Sequence, residues 1–251
     1  MNCSFDNLFL LINNNNLNNN AEENYFLSEE SFIRKYDQAD IDFVTAYFSR
    51  GFNKSILKGT MRDLFNLSFN AFDIVLHAWL SELPVEKEMI AYARKIITSK
   101  KTENNILDAD TRAVIEASSK VQREVHRMMG LLRFTPDDKN VFTAKCEPDH
   151  FILPCLIEYF TSRFGEIQWT VIDVKRNLNL CRCAGKKAKI EKSSAYLNAD
   201  TDNNNASCAS GDEWEDLWKH YHKIINNEER ENANLQRQFM PQRYWKYLPE
   251  K

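Results

Sequence analysis

"WTVIDVKRNLNLCRCAG", residues Trp169 to Gly185, is the stretch that decides the fold. Strand-forming residues run from Trp169 to Val174, polar Arg176-Asn177 interrupts them, and a second short run follows from Leu178. That order predicts a β-hairpin pivoting near Arg176-Asn177. Upstream, a helix is expected at about residues 154–164, led by Pro154 and closed near Gly165. Before it, "LLRFTPDDKNVFTAKC" (Leu131 to Cys146) places two alternating runs around Pro136, Asp137, Asp138 and Asn140, the composition of another hairpin. The middle of the chain therefore reads hairpin, helix, hairpin, a small antiparallel sheet made of two β-hairpins with helices on one side.

Outward from this centre the periods are helical. Val114, Ser118, Val121, Val125 and Met128 form one stripe over Asp110 to Met129, with Gly130 placed as its C-terminal cap. Residues 38–99 read as several short helices with a restart after Pro84, and a first helix is expected at about residues 4–12. Near the C-terminus, Asp212 and Glu215 have capping-box spacing ahead of Trp214, Leu217, Trp218, Tyr221, Ile224 and Ile225, a wide apolar stripe. A last helix at about 228–239 is stopped by Pro241. The fold class is thus α+β, with a helical N-terminal part and C-terminal helices packed with the small sheet. Two polar segments, Asn13 to Asn20 and Asn198 to Asp212, lack periodicity and read as linkers. The division expected is 1–68, a helical N-terminal region with the Asn-rich loop, and 69–251, a domain carrying a polar linker at about 193–212.

Composition excludes several classes. With 43% hydrophobic and 27% charged residues in 251, the chain can bury a core without disulfides or a structural metal. The most apolar stretch, Phe69 to Leu80, is too short to span a bilayer and holds Asp73 and His77, so no membrane association is expected. "NLFLLI" near the N-terminus lacks the basic leader and cleavage site of a signal peptide. Six cysteines without C-x-x-C spacing read as thiols, and the cytoplasm is the expected compartment.

The chemistry-bearing residues form no standard cofactor motif: there is no phosphate loop, dinucleotide fingerprint, H-E-x-x-H or G-x-S-x-G. No cofactor or metal is expected. His220 and His222 sit two apart on a predicted helix and point to opposite sides. "EPDH" offers Glu147, Asp149 and His150 at a strand-to-helix junction, with His126 able to approach from the preceding helix. Those residue types suit acid–base catalysis, a nucleic-acid contact, or a helix cap plus a backbone-bonded histidine; whether the protein is a DNA-binding protein, a catalytic subunit acting on a DNA base or sugar, or a protein-only adaptor stays open. Charge is informative locally. Against an overall −3, residues 163–192 hold eight cations and three acids, and the tail from Leu235 holds four cations and Glu250. The tail "LQRQFMPQRYWKYLPEK" interleaves Phe239, Tyr244, Trp245 and Tyr247 with Arg237, Arg243 and Lys246. If these segments are neighbours they form a basic face able to follow a phosphate backbone. Trp245 is expected buried beside the helix at 213–226, with the arginines outward.

The order "VHRMMGLLRF", "KCEPDHFILP", "WTVIDVKRN" and "LQRQFMPQRYWKYLPE" resembles a bacterial family of DNA repair or DNA metabolism proteins, the domain of unknown function 4130, over about residues 69–250. The resemblance implies a partnership with a radical-SAM DNA repair or modification protein and, in some bacteria, fusion to a uracil-DNA glycosylase-like domain. It implies DNA as partner and no established reaction. Carried over by motif, its positions include His126, Arg127 and Arg133; Glu147, Asp149 and His150; Arg163, Trp169, Asp173 and Arg176; and Arg237, Arg243, Tyr244 and Trp245. Of these, Arg127, Arg133, Arg163, Arg176, Arg237 and Arg243, with Lys246, are the candidate nucleic-acid contacts.

Overall fold

The computed structural model describes residues 4–13, 36–98, 105–137, 141–193, 211–225 and 232–248. By its internal contacts the chain divides into two compact units. The first comprises Met1–Val125 with Asp149–Ile152, and the second His126–Pro148 with Leu153–Lys251.

The first unit is helical. Its elements are α1 (Phe5–Asn13), α2 (Gln38–Tyr47), α3 (Gly59–Leu67), α4 (Phe69–Trp79), α5 (Glu86–Thr98) and most of α6 (Ala109–Leu131). Side chains set the helix starts. Asp37 accepts the Asp40 N–H at 2.7 Å ahead of α2, Ser68 that of Ala71 at 3.0 Å ahead of α4, and Asp108 that of Thr111 at 3.0 Å ahead of α6. The core is largely aromatic. Phe5 packs edge-on to Phe9 and Phe72, and Tyr36 packs against Trp79 and Phe151. Asp149–Ile152 enters this core through Phe151, which is fully buried and donates its N–H to the Leu80 carbonyl at 3.0 Å.

The stripe expected on α6 is buried as predicted, from Val114 through Ser118, Val121 and Val125 to Met128. Its end differs. The helix runs through Gly130 to Leu131, and Gly130 has no left-handed φ, so it is an interior residue and not the cap.

The second unit carries the sheet, β1 (Thr135–Pro136), β2 (Phe142–Cys146), β3 (Trp169–Asp173), β4 (Leu178–Arg182) and β5 (Lys189–Lys192), in that spatial order. The β3–β4 hairpin is present with the expected pivot. Asp173 pairs with Leu178 across a turn in which Asn177 adopts φ 53°, a left-handed conformation that asparagine tolerates. The purely antiparallel sheet of two hairpins is corrected by the structure. The first hairpin is only a two-residue pairing, Thr135 with Thr143 and Pro136 with Phe142, while β2 and β3 run parallel from Phe142↔Trp169 to Cys146↔Asp173. A parallel pair needs a crossover, and residues 147–168 supply one through a 3₁₀ turn (Leu153–Leu156) and α7 (Ile157–Phe164). Helix α7 ends where Gly165 takes φ 58°, and Phe160 and Phe164 pack on Trp169. The fifth strand, β5, was not anticipated; it pairs antiparallel to β4 and buries Ile190.

Three further elements close the second unit: α8 (Gly211–Ile225), α9 (Ala233–Phe239) and a 3₁₀ turn, Gln242–Tyr247. Asn232 caps α9 by accepting the Leu235 N–H at 3.0 Å. The capping-box side chains Asp212 and Glu215, and Trp214, lie outside the described side chains, as do both Asn-rich segments.

Candidate functional site

The register of β2 and β3 places Cys146 and Asp173 side by side at the carboxyl ends of two parallel strands, where α/β sheets commonly gather functional groups. Glu147 follows directly. Its carboxylate accepts from Lys246 Nζ at 2.6 Å and from the Tyr247 hydroxyl at 2.7 Å. The "EPDH" segment and the C-terminal tail are therefore joined at one carboxylate. Hydrogen bonds from Lys246 and Tyr247 hold Glu147 below the usual carboxylate range, so it is ionised at neutral pH. Burial, then Glu147, pushes the Tyr247 phenol well above its ordinary value, keeping it a donor.

Asp173 and Arg176 form the second pair of this cluster. Arg176 Nη1 lies 2.7 Å from Asp173 Oδ2 and also donates to the Pro148 carbonyl at 3.2 Å, while the Asp173 carboxylate accepts the Arg176 N–H at 3.2 Å. The two side chains are 3% and 0% exposed. The guanidinium is thus committed to the turn between β3 and β4 and to Pro148 within "EPDH". Cys146 completes the neighbourhood, with its thiol donating to the Ile172 carbonyl at 3.5 Å.

Asp149 and His150 belong to the first unit and meet Glu124 there. The Glu124 carboxylate, on α6 and 3% exposed, accepts the backbone N–H groups of Asp149 and His150, both at 2.9 Å. His150 Nδ1 also hydrogen-bonds the Ser81 carbonyl. The histidine is held on backbone, one of the roles open to it in the sequence. Asp149 is not the N-cap of α7: that position is Leu156, with no side-chain cap. His126 is exposed on the part of α6 counted with the second unit. Glu124 was missed in the sequence, although a signal exists. A glutamate between Val121 and Val125 lies on the buried stripe of α6, and a buried carboxylate requires donors.

The basic segment resolves into cations that meet an acid and cations that are exposed. Its three acids each meet one cation: Asp173 meets Arg176, Glu166 meets Arg182 at 3.4 Å, and Glu191 meets Lys189. Arg163, Lys186, Lys187 and Lys192 are exposed. Arg127 is half-buried. Arg133 donates to the Gly130 carbonyl at 2.7 Å and lies over the Trp218 ring, 5.1 Å from its centroid. Cys181, half-buried beside Glu191, has its thiol pushed up to about 11 by burial, then by that glutamate, which disfavours the thiolate at neutral pH.

In the tail Arg237 and Arg243 are exposed, as expected, but the buried ring is Tyr244 at 2% exposure, whereas Trp245 is half-buried with its indole N–H on the Met240 carbonyl at 2.9 Å. The 3₁₀ turn packs against β2. Helix α8 keeps Leu217, Tyr221, Ile224 and Ile225 exposed. Among the described residues no three His, Cys, Asp or Glu side chains are grouped to hold a metal, and no helix is long and apolar enough to cross a membrane.

Apart from the Ser81 carbonyl, these groups fall in one stretch of the chain that matches a family, "Domain of unknown function (DUF4130)", over residues 85–250. The chain belongs to the DUF4130 family. No curated protein and no solved structure matches it. The DUF4130 span contains both the Glu147–Lys246–Tyr247 contact and the Asp173–Arg176 pair, and leaves α1 to α4 outside.

Proposed function

We propose that this DUF4130 protein binds DNA in the cytoplasm, as part of a bacterial DNA repair or modification system that includes a radical-SAM enzyme and, in some members, a uracil-DNA glycosylase-like domain. The observation that carries the DNA-binding part is the charge pairing of residues 163–192. Every acid in that segment meets a cation, and Arg163, Lys186, Lys187 and Lys192 stay exposed around the sheet. Edge strands often carry lysine to block pairing, which accounts for Lys189 and Lys192 on β5. It does not account for Lys186 and Lys187 in the β4–β5 connection or Arg163 on α7. Arg237 and Arg243 add exposed charge from the tail. Arg176 is left out of this surface because its charge is buried on Asp173, and Lys246 because it holds Glu147. The repair context and the partners rest on the family resemblance alone.

Catalysis through Glu147, Asp149, His150 and His126 has weaker support. Glu147 is ionised and held by two donors, and His150 is bound to a carbonyl. A general acid or base needs an available proton site near its operating pH. The test is titration of the purified protein, alone and with the radical-SAM partner, into labelled single-stranded, duplex and uracil- or lesion-containing DNA. Saturable binding to any of these supports the proposal. No binding to any of them, with or without the partner, overturns it.

A further inference from the structure

The first unit contains a cavity of about 620 Å³ framed by α1, α2 and the segment from Ile56 to Met61. We propose that this cavity binds a small organic ammonium ion with an apolar body. Its volume lies in the range of small-molecule pockets, roughly 300–1,000 Å³. Phe5, Phe9, Phe43 and Met61 line it, with the Phe5 ring 5.3 Å from Phe43 and 5.1 Å from Phe9. Clustered aromatic rings take up apolar groups and attract a cation through their faces.

The sign of the ligand follows from the polar lining. Among the described residues, Asp6 on α1 and Asp37, Asp40 and Asp42 at α2 line the cavity against one cation, Lys58. Three of these carboxylates are fixed by donors: Asp40 by the Phe5 N–H at 2.9 Å, Asp37 by the Asp40 N–H at 2.7 Å, and Asp42 by Gln38 Nε2 at 2.9 Å. Asp40 is only 6% exposed. Its pKa is pushed up to about 6, first by burial and then by Asp37 and Asp6, so its neighbours add negative charge instead of neutralising it. A bound ammonium reverses that imbalance. A metal ion fits less well, since hard cations require converging oxygens and retain water, whereas these aspartates are not grouped for a metal and the walls are aromatic. The cavity lies outside residues 85–250 and is independent of the DNA-binding proposal.

The test is calorimetric titration of the full chain with benzyltrimethylammonium chloride, and with benzyl alcohol as a neutral probe of the same ring. The expected result is one-to-one binding of the ammonium at least about tenfold tighter than the alcohol. Asp40→Asn and Phe43→Leu, checked for folding by circular dichroism, each weaken it about tenfold, and exposed Asp42→Asn weakens it by about threefold. Equal binding of the alcohol, no binding of either probe, or unchanged affinity in the folded variants overturns the proposal. Displacement of the ammonium by an amphipathic Lys-Leu peptide at about a hundredfold lower concentration also overturns it, because the occupant is then a protein segment.

Discussion

Tyr247 donates its hydroxyl to Glu147 at 2.7 Å across 100 residues of sequence, and Lys246 meets the same carboxylate from the adjacent position. One side chain at the end of β2 therefore anchors the C-terminal 3₁₀ turn. Glu147→Gln should lower stability by about 1 kcal/mol, because the ion pair is half exposed and screened while the Tyr247 bond is partly kept. Tyr247→Phe should cost a similar ~1 kcal/mol, and the double variant should cost less than the sum. Urea unfolding of the three variants checks this. The Glu147 pKa is lowered in the folded state, so this contribution is complete above the ordinary glutamate range and is lost as pH falls through the depressed value.

Arg176 and Asp173 are a buried pair, and breaking one side leaves an uncompensated charge. Arg176→Ala should destabilise by about 3–5 kcal/mol, and the double replacement Asp173→Asn with Arg176→Met by distinctly less. Thermal unfolding of single and double variants measures the difference.

Glu124→Ala removes the acceptor of two part-buried N–H groups at Asp149 and His150 and should cost about 1–2 kcal/mol. Glu124→Gln keeps an acceptor and should cost less. Hydrogen exchange at the amides of 149 and 150 is the specific readout: both should exchange faster in the alanine variant.

The fold was legible where signals are local. The β3–β4 hairpin announces itself through two strand-forming runs and an asparagine suited to a left-handed turn, and the α6 stripe through its period. The parallel β2–β3 pairing has no local signature, because two five-residue strands separated by a crossover declare only that each is a strand. Strand β5 was hidden because "KIEK" has one apolar residue, and its pairing to β4 supplies what composition does not. In the tail the aromatic run was visible, yet whether Tyr244 or Trp245 turns inward is decided by the 3₁₀ geometry after Pro241. At the candidate site, Glu147, Asp173 and Arg176 were all picked out in the sequence. The pairings were not, since Glu147 to Lys246 is a tertiary contact.

Asp40 gives the pH response an opposite sign from Glu147. Its folded pKa, about 6, lies above the ordinary aspartate value of 3.8, so the folded state holds the proton longer and stability falls as pH rises between those values. Asp40→Asn should remove that slope and gain up to about 3 kcal/mol relative to the parent at pH 7.5. Melting temperatures of both proteins from pH 4 to pH 7.5 test it.

The measurement closest to the central claim is the salt dependence of duplex DNA binding for the parent and for the variant with Arg163, Lys186, Lys187 and Lys192 all replaced by glutamine. These side chains are exposed and should leave the melting temperature unchanged. The account predicts that log affinity falls linearly with log salt in the parent, and that the slope flattens by about 0.9 for every replaced cation that touched a phosphate, up to roughly 3.6. Identical slopes in the two proteins would contradict it and remove this surface from DNA binding.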